Sequence, residues 1–532
     1  MKAIHSSNYG QSIGTGPSNQ HLIATEQNTY KNYRYVYWAF FLMLTVYSLA
    51  QLAFIYFTSW NLAPDEAHYW DWSKRPDLSY YSKGPGVAIL INYTTLLFGD
   101  TEFGVRFGAW ASNLLLSLAI FFPIARLTNP SFALGSFLCI RSMLFFSFLG
   151  VLMTTDPAML ACYMLALASG FDALTGKKSA WLLFGVFCGI GALFKFTILV
   201  LPVSLLLLAF VSKPYRGALR SKSFLAGLAI IFLILAPILY WNSQHGWVTF
   251  LHNSGHLVSQ KGLLFRPKFF AELIGGQLGL IGPILFFLIL VSIVKAYRRW
   301  RSGDYVVLYF LAPCLILGGL CLALSFTKPI YANWPAPFYL TWVMLFAYLH
   351  RTNPEEIRPI KNYLAPAIGL NFIILVGVIF LLSGFTLGIS GDKLPMKKLI
   401  GWNSLGEQAV KLMLRNSAEQ GKLSGILTEN YDVASALSFY TKTDLPIVVG
   451  NFNDRRMNQF DIWGGFAELK GKDLFLVLRS PSVAPEISKH FRAVTRIEPA
   501  FRSYYSNTKI SEFYFFRGKG FDGVKLNIAG KY

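Results

Sequence analysis

Charge is scarce in this chain of 532 residues: 14% are Asp, Glu, Lys or Arg, against 54% hydrophobic. Soluble domains carry nearer a quarter. Apolar runs of about 20 residues recur, each long enough to cross hydrocarbon. A soluble enzyme, or one held by a single anchor, is therefore excluded. Acids are scarcer still, 27 against 48 Lys and Arg, for a net charge of +21. In a soluble protein that excess would suggest nucleic acid. In a membrane protein it is what cytoplasmic loops carry as an orientation signal, so no nucleic-acid partner is expected. Cysteine is limited to Cys139, Cys162, Cys188, Cys314 and Cys321. All lie in apolar segments and none forms a CxxC pair, which excludes a disulfide framework and a cysteine zinc site. The early apolar core of a signal peptide is missing, and the first apolar run, 36–57, is too long for one. It is expected to be an uncleaved first span. No repeats appear.

What is present is a polytopic membrane protein. We expect about eleven spans, near 36–57, 106–124, 131–150, 157–174, 180–196, 197–211, 223–241, 271–295, 305–326, 337–350 and 363–386. With the N-terminus inside, one set of loops holds Arg126, Lys177, Lys178, Arg216, Arg298, Arg299, Arg351 and Arg358, the basic set expected in the cytoplasm. The opposite set, 61–105, 154–157, 242–270 and 327–337, faces outward. After Thr386 no spanning segment remains. There "SGILTENYDVASALSFYTKTDLPIVVG" reads as strand, helix, strand, and "KDLFLVLR" as a further strand. The expected organisation is a polar cytoplasmic tail (1–34), an all-α polytopic membrane domain (35–386), and a small C-terminal α/β extracytoplasmic domain (387–532).

The densest polar cluster follows the first span: "NLAPDEAHYWDWSKRPDLSYYSKGPG", 61–86. Carboxylates beside a membrane are costly unless they pair, bind a cation or face water. Asp65 and Glu66 follow Pro64, so a helix-start charge pair is the plain alternative to a functional one. The other outer loops place Asp156 in "TTDPAML", Lys83 before Gly-Pro-Gly, Lys328, Asn333 and Trp334 in "SFTKPIYANWPAP", Arg106 at a span start and Lys195 near a span end. Cations beside acids at one depth fit a site for an anionic, polar substrate. Snorkelling is the alternative for Lys195 and Lys328. His245, His252 and His256 line one outer loop, where aromatic packing is the alternative to substrate contact.

The 63–86 stretch, with "FGDTEFGVR", "TTDP", "LFKFT", "WNSQHGW", "NWPAPFYL" and "RRMNQFDIW" in that order, resembles the polyprenyl-phosphate-sugar-dependent glycosyltransferases of the GT-C group. These include protein O-mannosyltransferases and lipid A aminoarabinose transferases. The resemblance covers nearly the whole chain and implies an undecaprenyl-phosphate-linked sugar donor and periplasmic chemistry at a bacterial inner membrane. Carried over, the catalytic acid falls on Asp65, with Glu66 beside it and Asp156 as the second-loop acid. The donor-phosphate lysine falls on Lys83, here in Lys-Gly-Pro rather than Lys-Pro-Pro, with Arg106 and Lys328 as further phosphate ligands. His68, Tyr81, Lys195, His245, His252, His256, Asn333 and Trp334 are the candidate substrate contacts.

The implied reaction has physical sense. Polyprenyl phosphate leaves readily only if its developing charge is met by pre-organised cations. An acceptor hydroxyl needs a base, and direct attack inverts the anomeric carbon. No cofactor is required; a divalent cation on Asp65, Glu66 and Asp156 is left open. The acceptor is a lipid or glycan, with lipid A, lipopolysaccharide core, another surface glycan and protein all open. A transporter or flippase is the competing class, but it predicts charged or broken helices at the bilayer midplane. Arg141 is the one obvious mid-span charge, and the conspicuous acids lie at the outer boundary. A non-catalytic scaffold leaves the acids and Lys83 unexplained.

Overall fold

The computed structural model describes residues 17–255, 265–382, 395–450, 458–505 and 508–524. Helices α1 (Pro17–Phe57), α2 (Pro64–Lys74), α3 (Gly86–Phe98), α4 (Glu102–Leu127), α5 (Pro130–Ser142), α6 (Leu144–Phe148), α7 (Asp156–Leu174) and α8 (Ala180–Phe194) form the first half. There follow α9 (Val200–Val211), α10 (Lys213–Leu219), α11 (Lys222–Gln244), α12 (Val248–Gly255), α13 (Pro267–Ile281), α14 (Pro283–Arg301), α15 (Val307–Ser325), α16 (Ala336–Thr352), α17 (Pro354–Asn362) and α18 (Leu364–Leu382). Starts are encoded locally. Thr101, Asn129 and Ser221 cap α4, α5 and α11 by accepting from Gly104, Phe132 and Phe224 N–H groups, satisfying donors a first turn leaves open. Helices α7 and α16 form the centre and are buried almost all round. The Tyr163 hydroxyl and Thr341 Oγ1 join them at 2.6 Å.

Among the described residues, six helices are long and apolar enough to cross a membrane, or up to seven if one bent pair is a single span. The expected count of about eleven is thus not what uninterrupted helices supply, and each difference has a local cause. The run 131–150 breaks at Met143 into α5 and α6. Arg141 does not snorkel there. It is buried and donates to Asn113 Oδ1 at 2.6 Å, Ser117 Oγ at 2.8 Å and the Phe146 carbonyl at 3.2 Å. The run 180–211 breaks at Lys195, whose backbone is extended. The run 271–295 bends by 106° at Gly282–Pro283, where Gly282 takes a φ of +83° and proline cannot continue the hydrogen-bond ladder. At the other end, α1 reaches back to Pro17, into the stretch expected to be a tail.

The C-terminal part carries α19 (Trp402–Gln420), α20 (Tyr431–Thr441) and strands β1 (Ile426–Thr428), β2 (Ile447–Val449), β3 (Leu474–Leu478), β4 (Ala493–Tyr505) and β5 (Thr508–Lys519). The sheet order is β2-β1-β3-β5-β4. Strands β2, β1 and β3 are parallel; β5 is antiparallel to β3 and β4. Alternation sends Ile426, Phe475 and Val477 against α19 and α20, and Leu427, Leu474 and Leu476 to the opposite face with Phe466 and Phe521. Burial on both faces is why the parallel strands read as continuous apolar runs. The strand–helix–strand pattern read in 424–450 is realised.

One ion pair ties the outer loops to the bundle. Arg106, near the start of α4, is fully buried, as is Glu66 in the first turn of α2. Arg106 Nε and one terminal nitrogen bond the two Glu66 oxygens, each at 3.0 Å. Its remaining donors reach the Trp60 and Asn61 carbonyls at 3.0 and 2.6 Å. Glu66 also accepts from the Ala63 and Met153 N–H groups, each at 2.8 Å. All three guanidinium nitrogens and both carboxylate oxygens are hydrogen-bonded, the condition under which a buried ion pair offsets its desolvation.

Removing one partner strands the other charge in a dry site. Glu66→Ala and Arg106→Ala should each destabilise by about 3–5 kcal/mol, read as a large fall in unfolding temperature of the detergent-solubilised protein. Unchanged unfolding in either variant would contradict the anchoring role.

Candidate active site

Helix α2 follows the first long apolar helix at one end of the bundle and presents different faces to different partners. Glu66 points inward to Arg106. Asp65, the next residue and about 100° further around the axis, is exposed and accepts a hydrogen bond from the Tyr431 hydroxyl at 3.0 Å. The two acids therefore do not act as a pair. Glu66, expected beside the catalytic acid, is a helix-start and anchoring group. Arg106, expected on the donor phosphate, has its donors committed to protein.

A second cluster gathers at the start of α7. Asp156 is buried, with Lys195 Nζ at 2.8 Å from Oδ1 and Asn333 Nδ2 at 2.6 Å from Oδ2. Lys195 therefore does not snorkel; the chain breaks at this residue, and its ammonium meets Asp156. Lys83 is half-buried beside the same group. Burial, then the neighbouring Lys195 charge, push its ammonium pKa down to about 8, opposed by Asp156 and Asp65. The glycines after Lys83 explain its place. A Cβ on Gly84 would lie 2.5 Å from the Leu193 carbonyl oxygen, and one on Gly86 3.0 Å from Phe194. Gly-Pro-Gly thus packs against the last turn of α8, two residues from Lys195. The close approach expected toward a ligand is spent on protein backbone, and its result is two neighbouring ammonium groups.

Tyr69 lies one turn after Asp65 on α2. Burial and then the charges of Asp65, Tyr431 and Asp156 raise its phenol pKa well above the usual value. Sequence reasoning missed Tyr69 and Tyr431. The i, i+4 spacing of Asp65 and Tyr69 was visible; nothing local signals that a helix 366 residues away in sequence supplies the second hydroxyl.

The remaining candidates separate. His68 is buried, with Nδ1 2.9 Å from Ser435 Oγ and its ring stacked on Phe460. Burial pushes its pKa down to about 3, so it is a neutral packing group between α2 and α20. Asp71 accepts from Ser438 Oγ at 2.6 Å on the same interface. Its pKa rises to about 7, chiefly through burial. The Tyr81 N–H donates to Gln459 Oε1 at 2.7 Å, and the Tyr81 ring packs on His252. His245 stacks on Trp241 at 3.9 Å. Trp241 Nε1 in turn donates to Asp77 Oδ2 at 2.7 Å. These aromatics hold the 75–85 loop in place, the packing alternative for both histidines. His256 lies outside the described residues. Trp334 is half-buried beside Tyr331. Lys328 has an enclosed Nζ without a hydrogen-bond partner among the described residues, and burial lowers its pKa. No group of three His, Cys, Asp or Glu side chains suited to a metal occurs among the described residues. The set considered for a cation, Asp65, Glu66 and Asp156, is split because Glu66 is turned to Arg106.

Comparison with known proteins follows these groups. A family model described as dolichyl-phosphate-mannose-protein mannosyltransferase matches residues 82–241, which contain Lys83, Asp156 and Lys195. The lipid A galacturonosyltransferase RgtD of Rhizobium johnstonii is 26% identical over 415 residues, covering 76% of this chain and 82% of its own. An undecaprenyl phosphate-α-4-amino-4-deoxy-L-arabinose arabinosyl transferase of Pseudomonas fluorescens is 24% identical, covering 68% of this chain and 74% of its own. The crystal structure of apo ArnT from Cupriavidus metallidurans superposes with a TM-score of 0.61 at 12% identity, covering 93% of this chain and 99% of ArnT. The resemblance to the GT-C glycosyltransferases read from the sequence holds in the family model, the relatives and the fold.

Proposed function

We propose that this protein is a multi-span membrane glycosyltransferase that moves a sugar from a polyprenyl-phosphate donor to an envelope acceptor of the lipid A or lipopolysaccharide class. The observation that carries the reading is the juxtaposition around α2: an exposed, hydroxyl-bonded carboxylate, Asp65, close to a cation pair, Lys83 and Lys195, arranged around Asp156. The relatives supply the substrate class. RgtD and the Pseudomonas enzyme are named for lipid A and undecaprenyl-phosphate-sugar chemistry, and ArnT has been solved bound to undecaprenyl phosphate, the state that superposes on this chain with a TM-score of 0.57.

The reaction breaks the bond between the anomeric carbon and the donor phosphate oxygen, and the electron pair leaves with polyprenyl phosphate. The acceptor oxygen forms the new bond from the opposite face, with inversion, and its proton passes to Asp65. Tyr431 orients that carboxylate. Lys83 meets the charge that grows on the leaving phosphate, a contact stronger in the transition state than in the ground state and therefore one that raises kcat. Lys195 holds Asp156 and keeps the local field positive. The enclosed Lys328 ammonium stands as a further phosphate ligand.

We place the site on the periplasmic side of a bacterial inner membrane, with residues 387–532 as an outer domain and the bundle over 35–386. Two features support this whatever the exact number of crossings. Helix α2 directly follows the first span, and α20 docks on α2 through Tyr431, Ser435 and Ser438, so both share one face. The basic residues Arg126, Lys177 and Arg351 cluster with Asp172 at the other end of the bundle, as cytoplasmic loops do.

Asp65→Asn keeps size and a hydrogen-bond acceptor for Tyr431 but removes the base. It should lower kcat by about 100-fold or more with an unchanged unfolding temperature; wild-type turnover in the folded variant would remove Asp65 from the chemistry. The donor is a phosphodiester and stays anionic across the neutral and alkaline range, so Lys83 sets the alkaline limit. Its pKa is depressed, so the ammonium is lost as pH rises through about 8, and kcat/KM for donor should fall there. Lys83→Arg, which stays protonated, should carry the fall to higher pH. The same alkaline limb in Lys83→Arg would assign the titration to another group.

A further inference from the structure

Helix α4 carries Arg106 beside α2 and runs about 30 Å further to Arg126, where two cavities adjoin. The larger, about 810 Å³, lies between α1, α4, α5 and α7, with a wall that is mostly apolar and aromatic: Tyr37, Leu115, Leu118 and Phe122 contribute to it. The smaller, about 190 Å³, lies between α4, α7 and α16, and Arg126, Lys177 and Arg351 line it with one acid, Asp172. Pro123 and Arg126 belong to both walls. Pro123 sits inside α4 and has no N–H to give the Ala119 carbonyl, so the helix loses a ladder bond where the cavities join. Arg126 bonds Asp172 Oδ2 through a terminal nitrogen at 2.7 Å, and Lys177 Nζ stands 3.9 Å from the same oxygen. One acid against three cations leaves the smaller cavity positive.

We propose that the two cavities form one site for an anionic phospholipid, with an acyl chain in the larger and the headgroup phosphate in the smaller. Each wall suits one end of an amphiphile, and the shared residues Pro123 and Arg126 stand where chain gives way to headgroup. Tyr33 and Tyr37 are half-buried on the wall of the larger cavity, and aromatics of this kind mark the headgroup level of a membrane. Cations gathered between spanning helices on the cytoplasmic side are the form that headgroup pockets take. An orientation signal alone needs only basic loops. Here the cations come from the last turn of α4, the loop after α7 and the last turn of α16, and they converge on one cavity. A soluble anion has no use for the apolar chamber, and a second copy of the protein would have to bring carboxylates to a strongly basic end. Helices α1 and α16 both pack on α4, so a lipid lying across both cavities ties the first span to the centre of the bundle. The site stands at the opposite end of α4 from the proposed chemistry and does not depend on it.

The test titrates full-length, delipidated protein in detergent with phosphatidylglycerol, phosphatidylethanolamine or phosphatidylcholine of matched chains. Native mass spectrometry should show one phosphatidylglycerol retained per chain, bound about 10-fold or more tighter than either zwitterionic lipid. The unfolding temperature should rise with phosphatidylglycerol concentration. Lys177→Gln/Arg351→Gln leaves the Arg126–Asp172 pair in place. It should bring phosphatidylglycerol down to the affinity of phosphatidylethanolamine while the lipid-free protein unfolds as before. Lys177→Arg should keep the selectivity. Ala125→Trp, at a half-buried position on the wall of the larger cavity, should weaken all three lipids together. Equal affinity for the three lipids in wild type, or selectivity that survives in the double variant, would overturn the assignment. Glycerol phosphate tests the headgroup alone: binding as tight as that of phosphatidylglycerol would make this a site for a soluble anion and end its assignment to a lipid. Dimers that form without retained lipid and are lost in the double variant would give the face to a second copy of the chain instead.

Discussion

The outer face of the protein depends on an ion pair that never meets water. Arg106 and Glu66 each satisfy several partners in a fully buried site, and together they tie three separate segments: 60–63 after the first span, α4, which carries Arg106, and the turn at Met153 before α7. An unpaired charge there would cost several kcal/mol, so the three segments are fixed relative to one another. The consequence for chemistry is geometric. Once Glu66 is turned inward, the pitch of the helix turns Asp65 outward and sets Tyr69 one turn behind it. The Met153 bond positions the chain three residues before Asp156. A structural pair thereby places two acids of unlike environment, one exposed and one salt-bridged.

Electrostatics then divides the labour. Asp156 is paired with Lys195 and bonded by Asn333, so both of its oxygens are engaged by protein. The packing of Gly84 and Gly86 on α8 sets Lys83 near Lys195, and burial, then the Lys195 charge, lower its ammonium pKa. In the proposed reaction a phosphate arriving there would relieve that repulsion. Asp65 keeps access to water and to a cavity under the C-terminal domain, which is compatible with the base role proposed for it. The interface of α2 with α20 is correspondingly polar on one stripe: Asp65, His68 and Asp71 meet Tyr431, Ser435 and Ser438 in order. His68 is kept neutral by burial, so no second charge competes there.

Much of this was legible in the sequence because hydropathy, loop charge and the outer-loop acids are local signals. The membrane class, the resemblance, the strand–helix–strand segment and the grouping of Lys83, Asp156, Lys195 and Asn333 were readable from residue types and the side of the membrane. What was not readable is the direction of each side chain. Asp65 and Glu66 are neighbours in sequence and opposites in space, and Arg106 reads as a phosphate ligand until its partners are seen. The run 131–150 read as one span, but it breaks at Met143, beside Arg141, which binds Asn113 and Ser117 on α4. The Tyr431 bond to Asp65 depends on docking between segments more than 300 residues apart, which no periodicity announces.

The central claim is that the groups around α2 perform transfer, with donor cleavage coupled to an acceptor. The most direct measurement is polyprenyl phosphate release by purified protein given a polyprenyl-phosphate sugar, with and without lipid A. The account predicts release that requires acceptor and matches the sugar appearing on it, mole for mole. Movement of intact donor across sealed proteoliposomes without any release would contradict it and make the protein a transporter.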